Sequence, residues 1–254
     1  MDATVAELMK GMADGSVRCL SRLITLVENG GDKAGEIMDA VDPDAKAVCC
    51  VGITGAPGVG KSTLTDRLIA VAREKGQTVG VVAVDPSSPR HGGAVLGDRI
   101  RMCRHTPDDG VFIRSMATRG AFGGLPGCTR DVVKLLKAFR KDMVIVETVG
   151  VGQTDCAVAD VADIVALVLS PDSGDSIQLM KAGIMEIGDV FVVNKAEDDR
   201  AGVMVSALES LLAMDASGFK KGMTIFATQA LNDVGVRELF EEFERRWRII
   251  REPD

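Results

Sequence analysis

Nine residues, Gly55-Ala56-Pro57-Gly58-Val59-Gly60-Lys61-Ser62-Thr63, constrain this chain more than any others. They fit G-x-x-x-x-G-K-[ST], the phosphate-loop pattern, and their flanks suit it. Ala47 to Thr54 before them is an apolar run that reads as a buried parallel strand, and Leu64 to Ala72 after them carries helical apolar spacing. Glycines let backbone N–H groups turn inward without a Cβ clash, and the helix N-terminus adds partial positive charge. A phosphate chain can therefore be held by amides. In such a loop Lys61 reaches the β- and γ-phosphates and the Ser62 hydroxyl binds Mg²⁺. The plainer reading is a Gly-rich turn at a helix start; the full spacing and both flanks favour a nucleotide site.

The rest of the chain alternates apolar strands with helices. Strands are expected at Thr78 to Val84, Val111 to Arg114, Met143 to Glu147, Ile164 to Leu169, Val190 to Val193 and Met223 to Ala227. Helices are expected at Thr129 to Phe139 and Val234 to Trp247. That alternation, without repeats, means a three-layer, doubly wound α/β fold with a mainly parallel sheet covered on both faces. Residues 4–45 read as helices, with Val5, Leu8 and Met9 as one apolar set and Val17, Leu20, Leu23, Ile24 and Val27 as another. Residues 1–45 are thus expected to be a helical extension, and 46–254 a phosphate-loop domain. The extension is a packing cap or a partner-binding arm.

With 254 residues, 46% of them hydrophobic, the chain can bury a large core without staples. A net charge of -7 argues against nucleic acid as a partner, which wants a basic footprint. The six cysteines show no CxxC spacing, and Cys49 and Cys50 are neighbours in a core strand, hence on opposite faces. They read as structural thiols in a reducing compartment. The start carries no basic or long apolar leader, and no window reaches the length of a membrane span, so a cytoplasmic location is expected.

Acids at strand ends supply the metal and switch candidates. Asp85 ends the second strand and is a candidate for Mg²⁺ or its water shell; an Asp-Pro turn is the alternative. Asp98 lies in a polar, Gly-bearing stretch suited to a switch loop. Glu147 leaves the fourth strand with Gly150 three residues on, which places a carboxylate near Mg²⁺ water and a glycine N–H where a γ-phosphate can be sensed. Asp175, Gln178 and Lys181 recur at helical spacing, as a solvated face or a switch. The strand end Asn194-Lys195-Ala196-Glu197 is the guanine-reading arrangement: its carboxylate accepts from guanine N1–H and N2–H₂, which adenine lacks. Thr228-Gln229-Ala230-Leu231 is a loop after the last strand.

These motifs together resemble the MeaB/ArgK group of phosphate-loop GTPases, G-protein chaperones of methylmalonyl-CoA mutase and related cobalamin-dependent mutases. The matching stretches are Gly52 to Thr63, Val84 to Pro89, Gly97 to Met102, Ile113 to Gly120, Glu147 to Gln153, and Gly174 to Ile187; Ser21 to Glu28 is similar to the family's N-terminal helix. The resemblance implies a G domain of the SIMIBI type and Mg²⁺-dependent GTP hydrolysis. It also implies coupling to the loading and protection of adenosylcobalamin, which belongs to the partner mutase. By the family pattern Asp98 lies in the first switch, Glu147 to Gln153 in the second, and Asp175 to Glu186 in a third, partner-sensing switch. Lys61, Asp98, Glu147, Gly150 and Gln153 are then the catalytic set, and Ser62, Asp85, Asp98 and Glu147 the metal set. Gln229, Ala230 and Leu231 form the second base loop.

Three departures from the family stand out. Glu197 occupies the place of the usual Asp, one methylene longer. Gln229 stands where Ser is usual, leaving the Ala230 N–H for the base. Relatives carry a longer C-terminal dimerisation arm, whereas this chain ends soon after Trp247; a homodimer stays open. Competing readings are a metallochaperone GTPase for nickel or cobalt, a binding module with negligible turnover, and an ATP-dependent kinase. The two isolated histidines and the N-K-x-[acid] strand end weigh against the first and the last.

Overall fold

The structure, a computed structural model, describes residues 4–41, 47–85, 102–118, 125–150, 155–173, 184–214 and 222–252. Among them, seven strands form one parallel sheet in the order β3-β2-β4-β1-β5-β6-β7. The strands are β1 Cys49–Thr54, β2 Val79–Asp85, β3 Val111–Ala117, β4 Met143–Glu147, β5 Ile164–Leu169, β6 Val190–Asn194 and β7 Thr224–Thr228. Five of them, β1, β2, β4, β5 and β6, are buried at every position, which is why they read as continuous apolar runs.

Strand alternation sorts these side chains into two cores. Val51 and Ile53 of β1 and Ile145 of β4 pack with Leu64, Leu68, Phe240 and Phe243. Cys50, Val144 and Val146 pack on the other face with Leu20, Leu23, Ile24 and Leu135. Cys49 and Cys50 accordingly part company, and burial pushes the Cys50 thiol up to about 12. A thiol held protonated in this way is a poor metal ligand.

Helices α1 Val5–Ala13, α2 Val17–Asn29, α3 Asp32–Ala40 and α5 Thr129–Ala138 cover one face; α4 Lys61–Glu74, α6 Ala201–Met214 and α7 Val236–Arg251 cover the other. Thr4 and Glu7 cap α1 reciprocally, and Ser16 caps α2 through the Cys19 N–H. Val17 differs from expectation: it sits in the first turn of α2, 47% exposed, while Leu20, Leu23, Ile24 and Val27 are buried. The N-terminal helices share one apolar cluster with the sheet, and Arg114 of β3 hydrogen-bonds Glu28 and Thr25 of α2. β3 also runs further than its apolar residues suggest. It pairs with β2 as far as Asp85 opposite Ala117, and its place at the sheet edge leaves Arg114 and Ser115 half-buried.

Parallel register brings the functional residues to one edge. Ile53 pairs with Glu147 across β1 and β4, and Asn194 pairs with Thr228 across β6 and β7. The carboxyl ends of all these strands face the turn from β1 into α4.

Leu23→Ala removes a fully buried side chain and is expected to cost about 2–5 kcal/mol of stability. Trp247, the only tryptophan, packs on the opposite face and reports unfolding by fluorescence in a denaturant titration. If its transition does not move, the N-terminal helices unfold separately from the sheet.

Candidate functional site

Helix α4 begins at Lys61 with Gly60 as N-cap, and Gly60 supplies no capping side chain. No capping side chain therefore competes with an anion at this helix N-terminus. Lys61 is only 7% exposed, and its ammonium donates to the carbonyls of Gly55 (2.9 Å) and Ala56 (3.0 Å). A lysine in such a place can exchange carbonyl partners for phosphate oxygens, because its long stem carries three rotatable donors. Gly150, at φ 83°, presses against this group: a Cβ there would lie 2.3 Å from Lys61 Nζ and 2.5 Å from the Gly55 carbonyl oxygen.

Glu147 is 1% exposed at the end of β4, and it receives two hydroxyl donors from α4. Ser62 Oγ donates to Oε1 at 2.6 Å, and Thr65 Oγ1 donates to Oε2 at 2.9 Å. Asp85 ends the neighbouring β2, 4% exposed. These are hard oxygen donors around a phosphate loop. Mg²⁺ takes one or two carboxylates and fills its shell with phosphates and water, so Ser62, Glu147 and Asp85 fit it.

The strand end expected to read the base is built around Asn194, 3% exposed. Its Nδ2 donates to the Val59 carbonyl at 2.9 Å, and its Oδ1 accepts from Thr228 Oγ1 (3.0 Å) and from the Ala230 N–H (3.1 Å). One side chain thus fastens the phosphate loop to the loop after β7. The Ala230 N–H, expected to face a base, is taken up by this bond. Gln229 Oε1 accepts from Asn232, and Leu231 is 69% exposed. Lys195 has φ 58° and pairs with Asp172 at 2.8 Å; Asp172 also accepts from the buried Ser170 hydroxyl. Hydrogen bonds from Lys195 and Ser170 hold the Asp172 carboxyl below the usual carboxylate range. Glu197 is exposed, and Asp198 is engaged by Arg200 through its backbone and side chain.

A further cluster secures the outer side of α4. Asp66 meets Arg104 (2.6 Å) and His105 (3.0 Å). Burial pushes the Asp66 carboxyl up, but the hydrogen bonds from His105 and Arg104 outweigh it and hold it below its ordinary value. Of the remaining expected residues, Glu186 is exposed in the short turn Ile184–Ile187. Asp98, Gln153, Asp175, Gln178 and Lys181 lie outside the described residues.

Sequence reasoning passed over Thr65, Thr228 and Asp172. Thr65 follows Ser62 by one helical turn, a spacing that signals a shared face. Thr228 and Asp172 carry no such signal toward Asn194 and Lys195, which meet them from the end of β6 and the residue after it.

A family model described as "Methylmalonyl Co-A mutase-associated GTPase MeaB" matches residues 20–253. A protein of Pyrococcus horikoshii named as a GTPase is 48% identical over 255 residues, covering 98% of this chain and 79% of the relative. GTPase ArgK of Escherichia coli is 37% identical over 202 residues, 78% of this chain and 61% of that protein. The mouse methylmalonic aciduria type A homolog, named as mitochondrial, is 35% identical over 77% of this chain and 50% of its own length. Among solved structures, a LAO/AO transport system kinase superposes with TM-score 0.75 at 26% identity, covering 97% of this chain and 76% of that one. HypB from Helicobacter pylori, in complex with nickel, has TM-score 0.59 at 21% identity and covers 85% of this chain and 93% of that one; it is a likeness of fold.

Gly150→Ala would force a side chain into a left-handed backbone and against Lys61. This strain is expected to cost the folded chain about 1–3 kcal/mol, read as a lowered midpoint in a denaturant titration. An unshifted midpoint would show that the turn at Gly150 relaxes to accept a methyl group.

Proposed function

The chain belongs to the MeaB family of methylmalonyl-CoA mutase-associated GTPases, and on that premise we propose that it is a Mg²⁺-dependent chaperone of an adenosylcobalamin-dependent acyl-CoA mutase. GTP binding and hydrolysis would be coupled to loading and protecting the partner's cofactor. The observation that carries this reading is the family match over residues 20–253, supported by the Ser62–Glu147 and Asn194–Val59 hydrogen bonds around the phosphate loop. Among those residues no helix is long and apolar enough to cross a membrane.

The chemistry asked of the protein is positioning and charge neutralisation. Lys61 would move from the Gly55 and Ala56 carbonyls onto the β- and γ-phosphates and offset the charge that develops as water displaces GDP from the γ-phosphorus. Ser62 and Glu147, with Asp85 beside them, would hold Mg²⁺, which supplies electrostatic stabilisation of the phosphate oxygens. Gly150 fits against both the lysine and the loop, so movement of the Glu147 to Gly150 turn is felt at the ammonium. Lys195 and Glu197 would meet guanine at the far end, with Asn194 setting their distance from the phosphates. Asp98, Gln153 and the Asp175 to Glu186 stretch are proposed as the parts that respond to the γ-phosphate and to the partner. Insertion of nickel or cobalt draws only a shared fold from the nickel-bound structure, so it ranks below.

GTP turnover by the purified chain is expected to be slow alone and to rise when an adenosylcobalamin-dependent mutase is added, with Lys61→Ala abolishing both rates. If the mutase alters neither turnover nor nucleotide affinity, the chaperone reading fails. If single-turnover hydrolysis stays absent at saturating partner, the protein is a nucleotide-dependent binding module instead.

A further inference from the structure

Ser62 and Thr65 lie one turn apart on α4, and their hydroxyls reach the two different oxygens of one carboxylate. All three groups are buried: Ser62 is 4% exposed, Thr65 0% and Glu147 1%. The terminal torsion of a glutamate is broad and roughly two-fold, so a single donor leaves the carboxylate plane free to turn. Two donors at 2.6 and 2.9 Å, one on each oxygen, fix it. The orientation matters for Ser62. A hydroxyl that gives its proton to Oε1 turns its lone pairs the other way, and those lone pairs are what a hard cation takes. The phosphate-loop pattern ends at Ser62, so Thr65 is not part of it.

We propose that Thr65 is a positioning residue for metal binding: it pins the Glu147 carboxylate so that Ser62 presents its oxygen to the Mg²⁺ of a bound nucleotide. The inference rests on the nucleotide site proposed above. Thr65 touches neither nucleotide nor metal. Its effect passes through Glu147, as groups that orient a metal's ligands commonly set metal affinity by about tenfold to a hundredfold.

The test is the release rate of a fluorescent GDP analogue from the full chain, followed as Mg²⁺ is titrated from excess chelator upward. Thr65→Val keeps the branched shape and deletes the donor; Thr65→Ser keeps the donor. Thr65→Val is expected to raise the half-effective Mg²⁺ concentration about tenfold or more, with release in chelator as in the unaltered protein. Thr65→Ser is expected to remain within about threefold of the unaltered protein, since it retains the donor. In a Glu147→Gln background, where the carboxylate is already gone, Thr65→Val should add little.

An unshifted Mg²⁺ midpoint in Thr65→Val overturns the role assigned to Thr65. So does an equal acceleration of release in chelator, which marks a merely structural residue. If Thr65→Val does not fold, Thr65→Ser decides: a midpoint displaced as far as that of Glu147→Gln overturns the proposal. Release from the unaltered protein that ignores Mg²⁺ overturns the metal reading on which the inference rests, and is told apart because it appears before any substitution is made.

Discussion

The fold closes around a buried carboxylate. Glu147 sits at the end of β4 with 1% of its surface exposed, and an isolated charge there would cost several kcal/mol. Ser62 and Thr65 of α4 lie within hydrogen-bond reach of it, which obliges the helix after the phosphate loop to lie directly over the strand that ends in the acid. The sheet order answers that demand. β4 slots between β2 and β1, and Ile53 faces Glu147 in register, so loop and acid emerge side by side. A sheet with β2 beside β1 would bring Asp85 to the loop and leave Glu147 a strand further away.

A second fixed point stands on the other flank. Asn194, from β6, spends both ends of its amide on backbone and hydroxyl partners drawn from the phosphate loop, the last residue of β7 and the segment after it. Leaving any one of these buried groups unpaired costs about 1–3 kcal/mol. The loop is thereby held between two struts, one from each side of β1, that come from strands far apart in sequence. Lys61 and Gly150 fill the space between them so closely that no added methyl group fits. Hydrolysis by positioning needs such a seat, because a small displacement of the phosphates relative to their neutralising charges is costly in rate.

How much of this was legible depended on whether a group acts through its neighbours in sequence. The buried strands could be read because parallel strands covered on both faces are apolar throughout, as Val190 to Val193 and Ile164 to Leu169 are. Gly150 could be read because its spacing from Glu147 is local. Helix α6 drew no expectation: its sequence, AGVMVSALESLLAM, is apolar almost all round, so no face stands out by period. Val17 was assigned to a buried face by period alone, yet a first-turn residue extends beyond the surface its helix covers. The Ala230 N–H was assigned to the base by the family resemblance; its bond to Asn194 is a tertiary fact that no spacing carries. Asp172 and Thr228 were invisible for the same reason.

The two ends of the site differ in how firmly they are held. Lys61, Ser62, Glu147 and Asn194 are all at most 7% exposed and bonded inward. Lys195 and Glu197 stand on an outer loop, and the Lys195–Asp172 pair joins side chains that are 34% and 45% exposed. Exposed pairs of that kind contribute about 0–1 kcal/mol, far less than the buried bonds at the phosphate end. The loop still keeps a left-handed lysine, so its backbone is set by more than that pair: Ala196 donates to the Thr228 carbonyl and Asp198 to that of Lys195. Side-chain chemistry at 172, 195 and 197 can consequently change without disturbing either strut. That separation lets Glu197 stand at the strand end while the phosphate seat stays intact, and under the proposed function it makes base preference the property most open to sequence drift.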